Sequence, residues 1–269
     1  YKRQLNAFNA YQPKFVEVPT DNGGLIPEEL DKILETTPNC KFIYVIPDFQ
    51  NPTGRTWSME RRQKFMEVVN KHNLPVLEDN PYGELRYEGT ILPSLKSMDT
   101  KGLVMFLGTF SKIFCPGLRL GWIAAEHSLL SEFVKIKQSA DLHTSNFDQG
   151  VADAYMEQYD LDEHVKEIVA LYKHRRDLIL ESMEKYFPAG TEWTHPEGGL
   201  FLWLTFPEGV SARKVFNKCI EMKVAGVIGD AFYPNQKTDR SMRINYSNMP
   251  DNRIVEGIQR MAKAIKECM

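Results

Sequence analysis

The sequence lacks the features that mark several specialised classes of protein. Its four cysteines, at positions 40, 115, 219 and 268, form no Cys-x-x-Cys pair, so neither a disulfide framework nor a metal site is expected. No apolar run approaches the roughly 18–20 residues of a membrane span, and the first residues lack the apolar segment of a signal peptide. The net charge is only −3, without a basic stripe, which argues against nucleic acid as a partner. These absences favour a cytoplasmic location.

What is present is the composition of an ordinary globular protein. The chain has 269 residues, of which 42% are hydrophobic and 26% charged, enough for one large domain and one small one. Short apolar runs alternate with helical patterns in the first part, which predicts a mostly parallel α/β sheet flanked by helices. Strands are predicted at Phe15–Val18, Phe42–Ile46, Pro75–Leu77 and Leu103–Leu107, and helices after Pro27 and after Ser58.

The second part of the chain has a different pattern. Residues 147–186 are largely helical with a break near Asp160, and they lead into a tail that mixes two strands with two helices. The strands are predicted at Leu200–Phe206 and Met242–Tyr246, and the helices at about 211–223 and 251–267. We therefore expect a large domain over residues 1–185 and a smaller C-terminal α+β domain over residues 186–269.

Polar residues follow three of the predicted parallel strands. Ligands in such sheets bind beyond the carboxyl ends of the strands, so these residues are expected to form a site. Asn51 follows the strand at 42–46, and Asp79 and Tyr82 follow the strand at 75–77. Thr109, Ser111 and Lys112 follow the strand at 103–107.

This set of side chains suits one kind of cofactor, a pyridine that carries an aldehyde, a phenolic oxygen and a phosphate. Lys112 can form a Schiff base with the aldehyde, and Asp79 can keep the ring nitrogen protonated. Arg119, together with the two hydroxyls beside Lys112, can neutralise the phosphate. Arg243, beside a strand of the smaller domain, can grip a substrate carboxylate with two hydrogen bonds.

Each of these residues also has a purely structural explanation. Asn51 can build a turn before Pro52, and Asp79 can cap the segment that follows it. Tyr82 can be a packed aromatic residue, and the cationic residues can be surface charges. The structural explanations weaken when taken together, because three separate strand ends would each carry the required residue by chance.

The motifs resemble those of the class I/II aminotransferases of pyridoxal phosphate (PLP) fold type I. The resemblance rests on Asn51-Pro52-Thr53-Gly54, on Asp79 followed by Tyr82, on Ser111-Lys112 and on Pro116 to Trp122, and it extends through Glu197 to Trp203. The most similar subgroup contains aminoadipate, kynurenine and aromatic aminotransferases and the effector domains of MocR-type regulators.

The resemblance implies roles for individual residues. Lys112 is the Schiff-base lysine, Asp79 contacts the ring nitrogen, and Asn51 and Tyr82 contact the phenolic oxygen. Thr109, Ser111 and Arg119 hold the phosphate, and Arg243, with Asn51 nearby, binds the substrate carboxylate. Members of the family are homodimers, and the segment from His143 to Asn146 corresponds to one that approaches the partner subunit.

The sequence departs from the family pattern in three places. Thr109 stands where a serine is usual, and Ile228 stands where relatives have a proline before Gly229. The family's N-terminal arm, first strand, phosphate-binding turn and ring-stacking aromatic residue have no counterpart before Tyr1. We therefore expect the sequence to be an N-terminally incomplete form of a longer aminotransferase, with weaker cofactor binding.

The predicted function is transfer of an amino group between an amino acid and a 2-oxo acid. Three alternatives stay open. The same cofactor also serves the PLP-binding effector domain of a MocR-type regulator and a PLP-dependent β-lyase, and the sequence can also be a catalytically silent fragment. The sequence does not identify the amino donor. Tyr82, Phe114, Phe201 and Trp203 are compatible with an aromatic or long aliphatic substrate.

Overall fold

A computed structural model describes residues 3–235 and 239–269, with side chains from Asn6 onward. Within those ranges, every helix is too short or too polar to cross a membrane. Cys40, Cys115, Cys219 and Cys268 are all free thiols.

The helices and strands are named here in chain order. They are α1 Arg3–Asn9, β1 Thr20–Asp21, β2 Gly24–Leu25, α2 Pro27–Thr36, β3 Ile43–Val45, α3 Met59–His72, β4 Val76–Asp79, β5 Val104–Thr109, β6 Gly121–Ala124, α4 His127–Asp141, α5 Asn146–Gln158, α6 Leu161–Tyr186, β7 Glu192–Trp193, β8 Phe201–Thr205, α7 Ala212–Glu221, β9 Val227–Ile228, β10 Ser241–Asn245 and α8 Asp251–Cys268. Short 3₁₀ turns lie at Lys96–Met98, Pro116–Leu118 and Gly229–Phe232.

The described residues form two compact units. The first, called here the parallel-sheet unit, comprises Val18–Asp48 and Thr56–Ala170. The second is called here the antiparallel-sheet unit. It comprises three segments, namely the described residues up to Glu17, Phe49–Arg55 and Leu171–Met269. The predicted domain boundary near residue 185 stays a prediction.

The parallel-sheet unit is built on a four-stranded sheet in the order β3-β4-β5-β6. Strands β3, β4 and β5 are parallel, and β6 runs antiparallel to β5. Phe65 and Val69 of α3 and Val76 and Val104 of the sheet are fully buried in one hydrophobic cluster. The residues of the apolar runs that lie in this cluster are thus removed from water.

Helix α3 begins and ends where its sequence directs. The hydroxyl of Ser58 accepts a 3.2 Å hydrogen bond from the amide of Arg61, which is the predicted cap. The helix ends at Asn73, whose backbone is left-handed with φ 49°.

The antiparallel-sheet unit has a four-stranded sheet in the order β7-β8-β10-β9. In the register of β8 and β10, Arg243 lies opposite Trp203. Helix α8 presents an apolar stripe that includes the buried residues Ile254, Ile258 and Ile265. The strands and helices predicted for this part of the sequence are confirmed to within a few residues.

One predicted strand is absent from the structure, and several elements, among them α1, α4, β7 and β9, were not predicted. Phe15–Val18 is not a strand. The carbonyl of Phe15 accepts a 2.9 Å hydrogen bond from the side-chain amide of Asn235. Helix α4 was not predicted, although Leu129, Leu130, Phe133 and Val134 recur at helical spacing within it. None of its residues is buried. The predicted break near Asp160 is confirmed, and the Asp160 carboxylate accepts from the amide of Asp162 in the first turn of α6.

Candidate active site

Lys112 lies in the loop that joins β5 to β6. The loop opens with a helical turn in which the amide of Phe114 donates to the carbonyl of Phe110 at 2.9 Å. Its two ends are tied together, because the amide of Phe110 donates to the carbonyl of Leu120 at 3.2 Å. Lys112 itself is half-buried. The structure thus places the lysine just beyond the carboxyl end of a parallel strand, as predicted.

The two hydroxyls beside Lys112 are linked to each other. Thr109 Oγ1 and Ser111 Oγ are 3.0 Å apart, and the amide of Ser111 donates to Thr109 Oγ1 at 3.1 Å. Arg119, near the other end of the loop, is exposed and has a left-handed backbone with φ 57°. Its guanidinium donates to the carbonyl of Pro116 at 3.0 Å. One loop therefore carries an amine, two hydroxyls and a guanidinium.

The start of this loop depends on a close approach between a glycine and an indole ring. A Cβ atom at Gly108 would lie 2.2 Å from the ring of Trp122, the residue paired with it in β6. The indole also stacks on Phe106, with ring centroids 5.2 Å apart. Only glycine at position 108 allows the indole to lie across the strand immediately before Thr109.

Asp79 is the last residue of β4, and only 8% of its surface is exposed. The phenol of Tyr44, on the neighbouring strand β3, donates a 2.6 Å hydrogen bond to Asp79 Oδ2. Burial, followed by the negative charge of Asp79, raises the pKa of the Tyr44 phenol far above its ordinary value. Tyr44 is therefore a neutral hydrogen-bond donor at all physiological pH values. Tyr82 follows in the next turn and is also buried.

Asn51 and Arg243 meet in the antiparallel-sheet unit. The Arg243 guanidinium donates from Nη1 to Asn51 Oδ1 at 2.7 Å. The same guanidinium lies over the ring of Phe201 at 4.0 Å and near that of Phe232 at 5.1 Å. Trp203 contacts Phe232 edge to face, with ring centroids 5.7 Å apart. Arg243 is thus held among aromatic rings rather than extended into water.

The Asn51-Pro52-Thr53-Gly54 segment is a compact turn with a cis bond before Pro52. The hydroxyl of Thr53 donates to the side-chain carbonyl of Gln50 at 2.6 Å. Gly54 has φ +70°, and a Cβ there would lie 2.5 Å from the carbonyl oxygen of Phe201. Both its left-handed backbone and this contact require glycine at the end of the motif.

The structure also shows buried charged residues that were not predicted from the sequence. Arg62 is fully buried and donates to Asp48 at 2.6 Å, and Asp48 immediately precedes the segment that carries Asn51. Glu78 is fully buried beside Asp79, and burial raises the pKa of its carboxyl although the amides of Leu95 and Lys96 donate to it. A signal was present for Arg62, because it occupies the apolar stripe of α3.

The family described as "Aminotransferase class I and II" matches residues 1–261. Aromatic-amino-acid aminotransferase 1 of Thermococcus litoralis is 42% identical over 273 residues, which cover 100% of this chain and 66% of that protein.

Two solved structures have the same fold. The kynurenine aminotransferase of Pyrococcus horikoshii, in complex with PMP, superposes with a TM-score of 0.95 at 40% identity, covering 99% of this chain and 67% of that one. LysN of Thermus thermophilus, an alpha-aminoadipate aminotransferase complexed with N-(5'-phosphopyridoxyl)-L-leucine, gives a TM-score of 0.94 at 31% identity. The match to LysN covers 100% of this chain and 69% of that one.

The chain therefore belongs to the class I and II aminotransferases, and it has the PLP fold type I. It spans about two thirds of the length of these relatives. The predictions of family, fold class and cofactor are confirmed. The donor set fits pyridoxal phosphate, since it contains a primary amine for the aldehyde, a buried carboxylate for the ring nitrogen, and hydroxyls with a guanidinium for the phosphate.

Proposed function

We propose that the protein to which this chain belongs is a PLP-dependent aminotransferase, which moves an amino group between an amino acid and a 2-oxo acid. The buried carboxylate of Asp79, held by Tyr44 at the end of β4, carries this proposal. Such a carboxylate suits a protonated ring nitrogen. The bound cofactor supplies the electron sink that makes a bond at the α-carbon of an amino acid easy to break.

We assign the cofactor contacts to the residues that the family resemblance implies. Lys112 supplies the amine and afterwards accepts and returns a proton at Nζ. Thr109, Ser111 and Arg119 bind the phosphate with hydroxyl and charge-assisted hydrogen bonds. Tyr82, together with Asn51, donates to the phenolic oxygen and thereby sets its basicity.

The substrate contacts are assigned to Arg243. Its planar guanidinium can donate two parallel hydrogen bonds to the α-carboxylate of an amino acid. Phe201, Phe232 and Trp203 surround or adjoin it, so the proposed donors are amino acids with aromatic or long apolar side chains. The aromatic aminotransferase of Thermococcus litoralis, at 42% identity, supports this choice.

The test is a screen of amino donors with 2-oxoglutarate as acceptor, using the full-length protein loaded with PLP. We expect glutamate to form fastest with an aromatic donor. Lys112→Ala should abolish both turnover and the visible absorbance of the cofactor–lysine adduct. Lys41→Ala, which removes an exposed lysine from the loop before β3, is the matched control and should leave both unchanged.

Other outcomes would contradict the proposal in different ways. Formation of ammonia and pyruvate without any amino acceptor would establish a β-lyase. Binding of PLP without turnover of any donor would favour the effector domain of a regulator. Absence of cofactor absorbance in the unmutated full-length protein would overturn PLP chemistry altogether.

Three further features belong to the same proposal. The protein is a homodimer, as the family resemblance implies, with the segment from His143 to Asn146 near the partner. It acts in the cytoplasm, where four free cysteines are stable. Residues 1–185 belong to its large domain and residues 186–269 to its small one. Gel filtration with light scattering tests the first of these statements.

A further inference from the structure

The side chains of Tyr44 and Asp79 lie on the same face of the parallel sheet. In the register of β3 and β4, Tyr44 pairs with Leu77, which lies two residues before Asp79. Residues i and i+2 of a strand share a face, and they are about 6.6 Å apart along the strand. A tyrosine side chain is long enough to span that distance, so its phenol reaches the carboxylate at the strand's end. The phenol oxygen of Tyr44 and Oδ2 of Asp79 are 2.6 Å apart, the separation of a short hydrogen bond to a charged acceptor.

The neighbouring residue on β4 makes a different set of contacts. Glu78 points to the opposite face, where it accepts from the amides of Leu95 and Lys96 at 2.9 and 2.8 Å. It therefore holds the loop that contains Leu95 and Lys96 against β4. The two consecutive acidic residues of β4 thus accept hydrogen bonds from different donors. Asp79 accepts from the side chain of Tyr44, whereas Glu78 accepts from two backbone amides.

We propose that Tyr44 is a positioning residue that holds the Asp79 carboxylate ionised and correctly oriented for the ring nitrogen of the cofactor. This inference rests on the proposed function. Two physical effects support it. A hydrogen bond from a neutral donor stabilises a buried carboxylate anion relative to its protonated form, and it fixes the rotation of the carboxylate about the Cβ–Cγ bond.

The chemistry of the donor also matters. Because the pKa of the Tyr44 phenol is raised, the phenol keeps its proton beside the carboxylate and does not become a second anion. Phenylalanine at this position would keep the ring but remove the donor. The carboxylate would then have weaker support as an anion and a less defined orientation, and its interaction with a cationic pyridine ring would weaken.

The experiment compares two ligands that differ only in the atom that Asp79 contacts. Apo forms of the full-length protein are titrated with PLP and with an analogue in which carbon replaces the ring nitrogen, and binding is followed by absorbance and fluorescence. The quantity of interest is the ratio of the two affinities. For Tyr44→Phe we expect this ratio to fall about tenfold, the order of one hydrogen bond to a charged group, through loss of PLP affinity alone.

Two further variants separate hydrogen bonding from packing. Tyr44→4-methylphenylalanine fills the space of the hydroxyl without a donor, and Tyr44→4-aminophenylalanine restores a neutral N–H donor in the same place. The first should behave like Tyr44→Phe, and the second should return the ratio to within about threefold of the native value. Tyr246→Phe is the control, because it also removes the hydroxyl of a buried tyrosine. That hydroxyl donates to the carbonyl of Gly198 at 3.0 Å rather than to Asp79, so the affinity ratio should stay unchanged.

The outcomes are distinguishable. An unchanged ratio in the folded Tyr44 variants, or equal losses of affinity for both ligands, would overturn the inference while leaving the proposed function intact. Failure of the native full-length protein to bind PLP would overturn the proposed function. If Tyr44→Phe does not fold, the affinity ratios of the 4-methylphenylalanine and 4-aminophenylalanine variants are compared instead, since the two side chains have nearly the same shape and differ in the donor. Equal ratios in these two variants would overturn the inference.

Discussion

The guanidinium of Arg243 and the side-chain amide of Asn51 are joined by a 2.7 Å hydrogen bond, although the two residues are 192 positions apart in the sequence. The contact lies within the antiparallel-sheet unit, to which the 49–55 segment belongs. Asn51 therefore limits the orientation of the guanidinium from one side, and the ring of Phe201 limits it from another at 4.0 Å. An arginine held in this way loses little further side-chain freedom when it binds a carboxylate.

The first prediction concerns this arginine. Arg243→Lys keeps the positive charge but replaces a planar fork by a single ammonium group, so the paired hydrogen bonds to a carboxylate and the bond to Asn51 are both lost. We expect the KM for the amino donor to rise by roughly tenfold or more, the equivalent of one hydrogen bond to a charged group. Steady-state kinetics of the full-length protein measure this change. Arg253→Lys, at an exposed position of α8, is the control, and equal KM values for the two variants would refute the assignment of Arg243.

The second prediction concerns the packing of Gly108 against Trp122. Gly108→Ala places a methyl group 2.2 Å from the present position of the indole, so the ring or the strand must move. We expect the free energy of unfolding to fall by about 1–3 kcal/mol, the usual cost of overpacking. Urea unfolding measures the loss, and near-ultraviolet circular dichroism reports displacement of the tryptophan.

A helical glycine provides the control for that substitution. Gly150, in α5, has nothing within 4 Å of its hypothetical Cβ. Gly150→Ala should raise stability by roughly 0.5–1 kcal/mol, because alanine restricts the unfolded chain and favours the helix. If Gly108→Ala raised the free energy of unfolding as Gly150→Ala does, the prediction would be wrong, because the indole of Trp122 would then move aside without loss of stability.

The third prediction concerns pH and Asp99, which precedes β5. Although burial acts in the opposite direction, hydrogen bonds from Val104, Lys96, Leu103 and Lys101 lower the pKa of the Asp99 carboxyl below its usual value of 3.8. A lowered folded-state pKa means that these bonds contribute fully above the unfolded-state value, and that their contribution is lost as the pH falls through the folded-state value.

The variant Asp99→Asn tests this linkage. Asparagine turns one acceptor oxygen into a donor that faces other N–H groups, so we expect a loss of about 1.5–3 kcal/mol at pH 7. The stabilities of the variant and the native protein should converge as the pH is lowered below about 3.8, a value typical of an aspartate in the unfolded chain. Asp141→Asn, in an exposed pair with Lys137, should change little at either pH. A difference that persists in acid would exclude ionisation as its cause.

Much of the fold could be predicted because its signals are local. The apolar runs of β3, β4 and β5, the Ser58 cap and the break at Asp160 each depend on residues close in sequence. The hydrogen bond between Tyr44 and Asp79 could not be predicted, because the two residues are 35 positions apart and meet only through the parallel register of β3 and β4. Helix α4 was not predicted although its signal is also local, because Leu129, Leu130, Phe133 and Val134 recur at helical spacing.

The candidate site was predictable as a set of residues but not as a set of contacts. Lys112, Asp79 and Arg243 follow from motifs, whereas the rings that surround the Arg243 guanidinium come from separate segments of the chain. Arg62 was visible in principle, as a charge within an apolar stripe. The ion pair of Arg62 with Asp48 could not be predicted, because an acidic residue after a strand can cap a turn, bind a ligand or pair with any nearby cation.

The bond between the amide of Phe110 and the carbonyl of Leu120 closes the loop between β5 and β6 at its base. The entropic cost of bringing its ends together is therefore met when the two strands pair, before any ligand arrives. Lys112 and Arg119 are both carried by this closed loop. An amine and a cation are thus presented together on one closed loop, so an insertion between residues 110 and 120 would displace both.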